Sequence, residues 1–303
     1  MRVIFYSPHP DDETLSMGIA MLYYIAAGVE THLVSITNGS AVGVSYTLNG
    51  INPTTNAVVP CTLGVDHPFI HDPVREGYLF PPPVGDDPPC TSISDVMVGD
   101  IRNKEARAAL GMMSQIAPNT PGVYASVTHH TENLPGDFAG TSPSSTSPPS
   151  EAGIQMAYDI IKRYVDEYPN SFHFTMSETD DHHDHAACGI ALRRLKNDTT
   201  NFVPWNTSMT YATALSGARF FVSKLYWQNN YANGQDVIPF GPSWFPYGPR
   251  YNDYVSWLRN QVVPVYKAWN PSAGAYGVGY HQVSSQFVNN FAPTVNPANL
   301  WHL

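Results

Sequence analysis

The chain is poor in cysteine, in charged residues and in long apolar runs. Its 3 cysteines cannot all pair, so the fold requires no disulfide framework. Charged residues make up 13% of the sequence and give a net charge of −10, which argues against nucleic acid as the main partner. No window reaches the roughly 18 apolar residues of a membrane span, and the first residues lack the apolar region and cleavage site of a secretory signal. We therefore expect a soluble, cytoplasmic protein without a stable membrane anchor, whose oligomeric state the sequence leaves open.

Apolar residues and loop-forming residues, by contrast, are plentiful. Hydrophobic residues make up 43% of the 303 residues, enough for the core of one large domain over residues 1–303. The 27 prolines, 22 glycines and 12% aromatic residues indicate long, turn-rich loops. Such loops often form the walls of a binding site.

Strand-like apolar runs alternate with stretches of helical periodicity. This alternation predicts an α/β fold with a Rossmann-like, mostly parallel sheet and helices on both faces. The predicted strands cover residues 3–6, 31–37, 122–128, 172–176 and 220–227. The predicted helices begin at residues 12 or 13, 100, 150 or 151, 186 and 251, and the last of them extends to residue 269.

A long insertion separates the second predicted strand from the next helix. Residues 41–99 contain two proline-rich stretches and no evident periodicity, so they are either disordered or a lid. Aromatic and charged residues at 71–78 favour an ordered lid, and Arg75 among them is a candidate binding residue. Cys61 and Cys90 also lie here, and we favour free thiols over a disulfide between them.

Two clusters of histidine and aspartate follow predicted strands. Residues 9–13 read His-Pro-Asp-Asp-Glu directly after the first strand, and residues 180–185 read Asp-Asp-His-His-Asp-His after the strand at 172–176. Because parallel strands end at one edge of a sheet, the two clusters should meet there. Imidazole and carboxylate groups are typical zinc ligands, so the sequence predicts a metal site. The alternative is an ordinary solvated turn in which Asp12 caps a helix.

These two clusters carry a family resemblance. Residues 9–13 resemble the His-Pro-Asp-Asp-Glu motif of the LmbE/PIG-L family of zinc-dependent de-N-acetylases. Residues 182–185 are similar to the His-Pro-Asp-His motif of that family, with His183 in place of proline. The resemblance extends over residues 1–40, 99–130 and 150–200, and it implies hydrolysis of an N-acyl group from an amino sugar. Glycine-rich phosphate loops are absent after the first strand, which argues against a nucleotide enzyme.

The resemblance also implies a ligand set. One zinc ion would be held by His9, Asp12 and His185, two nitrogens and one oxygen, with a position left for water. Asp11 matches the general base of the family.

The leaving amine must receive a proton, and the sequence allows two sources. His182 could donate one, held or oriented by Asp184, or Asp11 could return the proton that it took. Some relatives have a tyrosine that stabilises the oxyanion at the position of Asp180, where a carboxylate would repel it.

Three further polar side chains lie outside the two motifs. Arg102 either holds polar substrate groups, as an arginine on this helix does in relatives, or forms an ion pair with Glu105, one helical turn away, and we favour the ion pair. His129 and His130 lie outside both motifs and are expected in a loop or behind the metal ligands.

The substrate is indicated less directly. Asn38 and Ser40 are either substrate contacts or parts of a turn. The aromatic-rich part at 200–303 is expected to line the cleft, with Trp244, Tyr247 and His281 as candidate contacts. Such a surface favours a large aromatic glycoside, as in the deacetylases that act on glycopeptide antibiotics of the teicoplanin type.

Two alternatives stay open. A GlcNAc-inositol or GlcNAc-malate deacetylase of thiol-cofactor biosynthesis would prefer a small polar substrate. A zinc-containing carbohydrate-binding protein would have kept the ligands and lost turnover, but the retention of Asp11 argues against it.

Overall fold

The structure, a computed structural model, describes residues 2–40, 95–140, 148–198, 218–223, 250–270, 275–279, 286–287 and 300–302. The strands are β1 Arg2–Ser7, β2 Glu30–Thr37, β3 Val127–Leu134, β4 Ser171–Met176, β5 Arg219–Ser223, β6 Trp269–Asn270, β7 Ala275–Tyr276 and β8 Leu300–His302. The α-helices are α1 Gly18–Ala26, α2 Asp95–Met113, α3 Glu151–Glu167, α4 His183–Asp198, α5 Tyr251–Trp257 and α6 Val263–Tyr266. Wider π-helical turns, Glu13–Met17 and Leu258–Val262, precede α1 and join α5 to α6.

Five parallel strands form the body of the main sheet. Among the described residues its order is β3-β2-β1-β4-β5-β8, with β8 antiparallel to β5 and the other neighbours parallel. The order reverses direction at β1, between β2 and β4, which is the switch point where open α/β sheets place their sites. The predicted Rossmann-like, mostly parallel sheet is thus confirmed.

Apolar side chains cover both faces of this sheet. Alternate residues of each strand point to opposite faces, so Phe5 of β1 packs with α1, α2 and α5 while its neighbour Ile4 packs with α3 and α4. The rings of Phe5, Phe174 and Phe221 stack in a row across β1, β4 and β5, with centroids 4.6 Å apart. Burying each ring stabilises the fold by roughly 1.5–3 kcal/mol, and the row fixes β1 beside β4.

Several predicted boundaries differ from the observed ones. Strand β3 begins at Val127 rather than at residue 122, so His129 and His130 lie within it. Its side chains are mostly half-exposed, so its sequence lacks the apolar run that identified the buried strands. The predicted start of α3 is confirmed, because the Ser150 side chain accepts a hydrogen bond from the backbone N–H of Gly153.

Part of the predicted organisation lies outside the described residues. This holds for the insertion up to residue 94, with Arg75, Cys61 and Cys90, and for Trp244, Tyr247 and His281. Within the described ranges, no helix has the length and apolar character needed to cross a membrane.

Candidate metal centre

Two chain segments meet at the carboxyl edge of the sheet. The turn after β1 carries His9 and Asp12, and the segment after β4 leads into α4 and carries His185. Because β1 and β4 are adjacent and parallel, the segments that follow them emerge side by side. The two sequence clusters therefore do come together.

Three ligand atoms form a small triangle. His9 Nδ1 lies 3.1 Å from His185 Nε2 and 3.2 Å from Asp12 Oδ2. His185 Nε2 lies 3.1 Å from the same Asp12 oxygen. All three residues are buried.

Each ligand histidine has a carboxylate on its other ring nitrogen. Asp184 Oδ2 lies 3.0 Å from His9 Nε2, and Asp180 Oδ1 lies 3.0 Å from His185 Nδ1. Because a carboxylate only accepts, each of these nitrogens donates. The opposite nitrogens, His9 Nδ1 and His185 Nε2, then direct their lone pairs at the triangle.

The triangle suits a cation. Burial raises the pKa of Asp12, but the charges and hydrogen bonds of His185 and His9, in their protonated forms, outweigh it and hold the pKa well below its usual range, so this oxygen is anionic. With the rings neutral, a metal cation among the three atoms would take the place of those protons. Two lone pairs and an anionic oxygen at 3.1–3.2 Å repel one another unless positive charge lies among them. Bonds of about 2.0–2.1 Å to a tetrahedral zinc ion place ligands about 3.3 Å apart. The residues present therefore fit zinc.

A third histidine lies against the other two. The ring of His182 lies 4.6 Å from those of His9 and His185, and one ligand atom from each of the three can lie within 4.8 Å of the others. The Asp184 backbone N–H donates to His182 Nδ1 at 3.2 Å, so the proton of the neutral ring sits on Nε2. Burial lowers the pKa of His182 to about 3, which also favours the neutral ring.

The expected pairing of His182 with the Asp184 carboxylate is therefore wrong. That carboxylate lies on His9 and accepts from the Ala139 N–H at 2.9 Å, and only the Asp184 backbone contacts His182. His182 Nε2 instead lies 4.0 Å from Asp137 Oδ1.

Asp11 does not contribute one of the three atoms of the triangle and binds a different partner. Its Oδ2 accepts a hydrogen bond from Arg102 Nη2 at 2.8 Å, in a contact where both side chains are 3% exposed. Burial raises the pKa of Asp11 to about 6, although the Arg102 charge acts to lower it. The expected Arg102–Glu105 ion pair is wrong, because Arg102 binds Asp11 and the carbonyls of Pro10 and Gly39. A Cβ at Gly39 would lie 2.4 Å from Arg102 Nη1, so this approach requires glycine.

Glu13 holds the turn that presents Asp11. Its carboxylate accepts from the Asp11 N–H at 2.9 Å, from Ser7 and Thr14 hydroxyls, and from the Tyr266 hydroxyl of α6. These contacts give Glu13 a structural role in this turn. The backbone φ of Asp11 is 154°, a value that non-glycine residues rarely adopt, and it is supported by this bond.

Glu105 attaches a distant part of the chain to α2. Its two oxygens accept from the backbone N–H groups of Val278 and Gly279, both at 2.8 Å. Burial raises the pKa of Glu105 to about 8, although these two bonds act to lower it. One turn of α2 thus carries two site-facing side chains, Arg102 on the turn after β1 and Glu105 on the C-terminal segment.

The remaining predicted residues divide between the site edge and elsewhere. Asn38 Oδ1 accepts from the Ser40 N–H at 3.0 Å and shapes the turn after β2. The structural role of Asn38 and Ser40 is therefore observed, and their contact with substrate stays a prediction. His129 Nε2 hydrogen-bonds Ser35 Oγ at 2.9 Å, and His130 Nε2 hydrogen-bonds His32, both within the sheet.

Sequence reasoning missed the role of Asp180. It lay inside the recognised cluster, but its carboxylate faces His185 rather than the place where an oxyanion would form. The sequence does place this carboxylate five residues before His185. Only the path of the loop in the structure shows that it binds the His185 ring.

Fold and site together define an α/β protein with a His/Asp metal centre at the switch point of a parallel sheet. A family model described as GlcNAc-PI de-N-acetylase, PIG-L, matches residues 4–196, more than half of the chain. The chain therefore belongs to this family, and the predicted membership is confirmed. No curated protein matches the sequence.

Solved structures with a similar fold include three deacetylases. One is described as a deacetylase–teicoplanin complex from teicoplanin biosynthesis, with a TM-score of 0.49, 15% identity, and coverage of 100% of this chain and 98% of that one. For the A40926 pseudoaglycone deacetylase Dbv21, the TM-score is 0.48 and the identity 13%, and the alignment covers 99% of this chain and 96% of that one. For the N,N'-diacetylchitobiose deacetylase from Pyrococcus horikoshii, the TM-score is 0.44 and the identity 14%, and the alignment covers 100% of this chain and 83% of that one. At these values the similarities do not bear on what the chain acts upon.

Proposed function

We propose that this chain is a zinc-dependent N-deacetylase that hydrolyses the N-acyl group of an N-acylglucosaminyl unit. One observation carries the proposal: His9, Asp12 and His185 converge within 3.2 Å while the neighbouring Asp11 binds Arg102. Membership of the de-N-acetylase family supports an amidohydrolase. A bound zinc ion would supply a Lewis acid that lowers the pKa of water and polarises the amide carbonyl.

Asp11 is the proposed general base. Its Oδ2 accepts from Arg102 and its backbone N–H donates to Glu13, so this carboxylate is kept beside the ligand triangle without being part of it. It would take a proton from the attacking water. Burial among few donors leaves it more basic than an exposed aspartate.

His182 is the proposed donor toward the amide oxygen. Because its Nδ1 accepts from the Asp184 N–H, the neutral ring offers Nε2–H and cannot take a second proton at Nδ1 without losing that bond. The arrangement favours a neutral hydrogen-bond donor that stabilises the charge developing on the carbonyl oxygen. Asp11 would then return its proton to the leaving amine, which favours the second of the two routes left open by the sequence.

The proposed substrate is a glycoside with a large aromatic aglycone, such as a glycopeptide antibiotic. The aromatic content of residues 200–303 supports this choice, with Trp244, Tyr247 and His281 as proposed contacts. Residues 95–99 of the predicted insertion at 41–99 belong to α2, and residues 41–94, including Arg75, are the proposed lid. A small polar GlcNAc conjugate is the alternative within the same chemistry. A carbohydrate-binding protein without turnover is disfavoured, because it would need neither the buried Asp11–Arg102 pair nor His182.

Release of free amine from N-acetylglucosaminyl glycosides tests the proposal. We expect release that a chelator abolishes and added zinc restores. Absence of amine release by the zinc-loaded protein, with several such glycosides, would contradict a deacetylase. Release that is insensitive to the chelator would contradict the metal requirement.

A further inference from the structure

We propose that Asp180 is a positioning residue that fixes the ring orientation and tautomer of His185 and so sets how tightly the centre binds zinc. The inference rests on the proposed zinc centre and deepens it. Asp180 is not part of the ligand triangle, and it acts only through the histidine behind which it lies.

The geometry leaves His185 one productive state. Asp180 Oδ1 lies 3.0 Å from His185 Nδ1, and the Asp180 side chain is 2% exposed, so water does not compete for this bond. With the proton held on Nδ1, the lone pair of Nε2 points at Asp12 Oδ2 and at His9 Nδ1. The other tautomer would place a lone pair against a buried carboxylate and a proton where the metal belongs.

The carboxylate is itself held in place. The same Asp180 oxygen accepts from the His182 backbone N–H at 3.0 Å, and the Asp180 N–H donates to the Ser177 carbonyl at 3.1 Å. A Cβ at Gly189 of α4 would lie 2.2 Å from the Glu178 backbone nitrogen, so the loop passes directly against the helix that carries His185. Loop and helix therefore move little relative to each other.

The two ligand histidines are fixed by different carboxylates on opposite ring nitrogens. Asp184 fixes His9 through Nε2, and Asp180 fixes His185 through Nδ1. Carboxylates that bind a ligand histidine in this way orient the ring and raise its basicity. Loss of Asp180 should therefore weaken the metal site without removing a ligand.

Zinc affinity of Asp180 variants, measured by competition with a chromophoric chelator, is the primary test. We expect Asp180→Ala to raise the zinc dissociation constant by roughly 10- to 100-fold. Asp180→Asn keeps an acceptor oxygen but no charge, so a smaller increase is expected. Asp181→Ala removes the exposed carboxylate next along the chain and should leave zinc affinity unchanged.

Thermal unfolding in the presence of excess chelator separates positioning from a purely structural role. Asp180 also accepts the His182 N–H, so its loss could destabilise the start of α4 in any case. If the Asn and Ala variants unfold at lower temperature yet bind zinc as tightly as the natural chain, the proposal is overturned. If they bind zinc more weakly while the Asp181 variant does not, it holds, whether or not the natural chain deacetylates any substrate.

Discussion

Asp11 and Asp12 are neighbours in sequence, yet their carboxylates have different partners. Asp12 faces two imidazole nitrogens, whereas Asp11 faces the Arg102 guanidinium. The two side chains diverge because Asp11 has an unusual backbone conformation, which the Glu13 carboxylate stabilises by accepting the Asp11 N–H. The proposed division of roles, metal binding by Asp12 and proton transfer by Asp11, rests on these different partners.

Replacement of Asp11 tests this division. Asp11→Asn keeps an oxygen for Arg102 but cannot take a proton, so turnover should fall by roughly 100-fold or more while bound zinc is retained. Asp12→Asn is the matched control, because it should lower zinc content. Elemental analysis and initial rates of both variants provide the measurement, and near-natural turnover of Asp11→Asn would remove Asp11 from the mechanism.

Replacement of His182 tests its proposed role as a neutral donor. His182→Ala should lower kcat by roughly 10²–10³-fold, the cost of one lost oxyanion donor, with zinc content unchanged. His182→Gln retains an N–H group and should recover part of that loss. A glutamine variant as slow as the alanine variant would instead indicate that the imidazole transfers a proton.

At this scale the sequence predicts residue types better than partners. The clusters that contain His9, Asp12 and His185 could be located because both follow parallel strands, and the family resemblance implied which of their members are ligands. The partners of Asp184, Asp180 and Arg102 could not be selected. Each depends on how a loop or helix faces its neighbour, and spacing along the chain does not encode that rotation.

At the scale of elements, the buried parallel strands are the most predictable parts. β1, β2 and β4 are covered on both faces and buried along nearly their whole length, so their sequences are rich in apolar and β-branched residues. β3 was displaced in the prediction because pairing with β2, rather than apolar content, defines it. The predicted C-terminal helix is interrupted by the π-helical turn Leu258–Val262, for which helical periodicity gives no separate signal.

The hydrogen bonds between Glu105 of α2 and the backbone of Val278 and Gly279 predict a pH dependence of stability. Burial raises the pKa of Glu105 from 4.5 in the unfolded chain to about 8, so between these values the folded chain binds the extra proton. The free energy of unfolding should therefore fall as the pH rises through this window. Glu105→Gln should remove this part of the dependence, as measured by urea unfolding at several pH values.

A surface glutamate provides the control for this measurement. The Arg194 hydrogen bond lowers the pKa of Glu151, so Glu151→Gln can change the pH dependence only below the usual range of a glutamate. If the natural chain and Glu105→Gln show parallel stability curves up to about pH 8, Glu105 does not retain a proton in the fold.

At the scale of the whole molecule, described residues of the C-terminal part contact the turn after β1 and the helix beside it. Tyr266 of α6 donates to Glu13, and the backbone of Val278 and Gly279 donates to Glu105. Tyr266, Val278 and Gly279 are therefore anchored beside the turn that carries Asp11. The sequence predicted the composition of the C-terminal part but not these anchors, which join residues far apart in the chain.

The size of the aglycone is the matching prediction. If remote contacts help to position the amide, free N-acetylglucosamine should be a poor substrate and the same sugar on a bulky aromatic scaffold a good one, in rate as well as affinity. Trp244→Ala and Tyr247→Ala should narrow the gap while zinc content stays constant. Equal or faster turnover of a small polar GlcNAc conjugate would favour the thiol-cofactor alternative.

The ligand triangle also links chain positions that lie far apart. His9 and His185 are separated by 176 positions in the sequence, and the Asp12 carboxylate lies in contact with both of their rings. An ion held there is a removable cross-link around most of the parallel sheet, and closing so long a loop opposes unfolding through the entropy of the open chain. Zinc supply would then influence how long each molecule survives proteolysis as well as how fast it turns over.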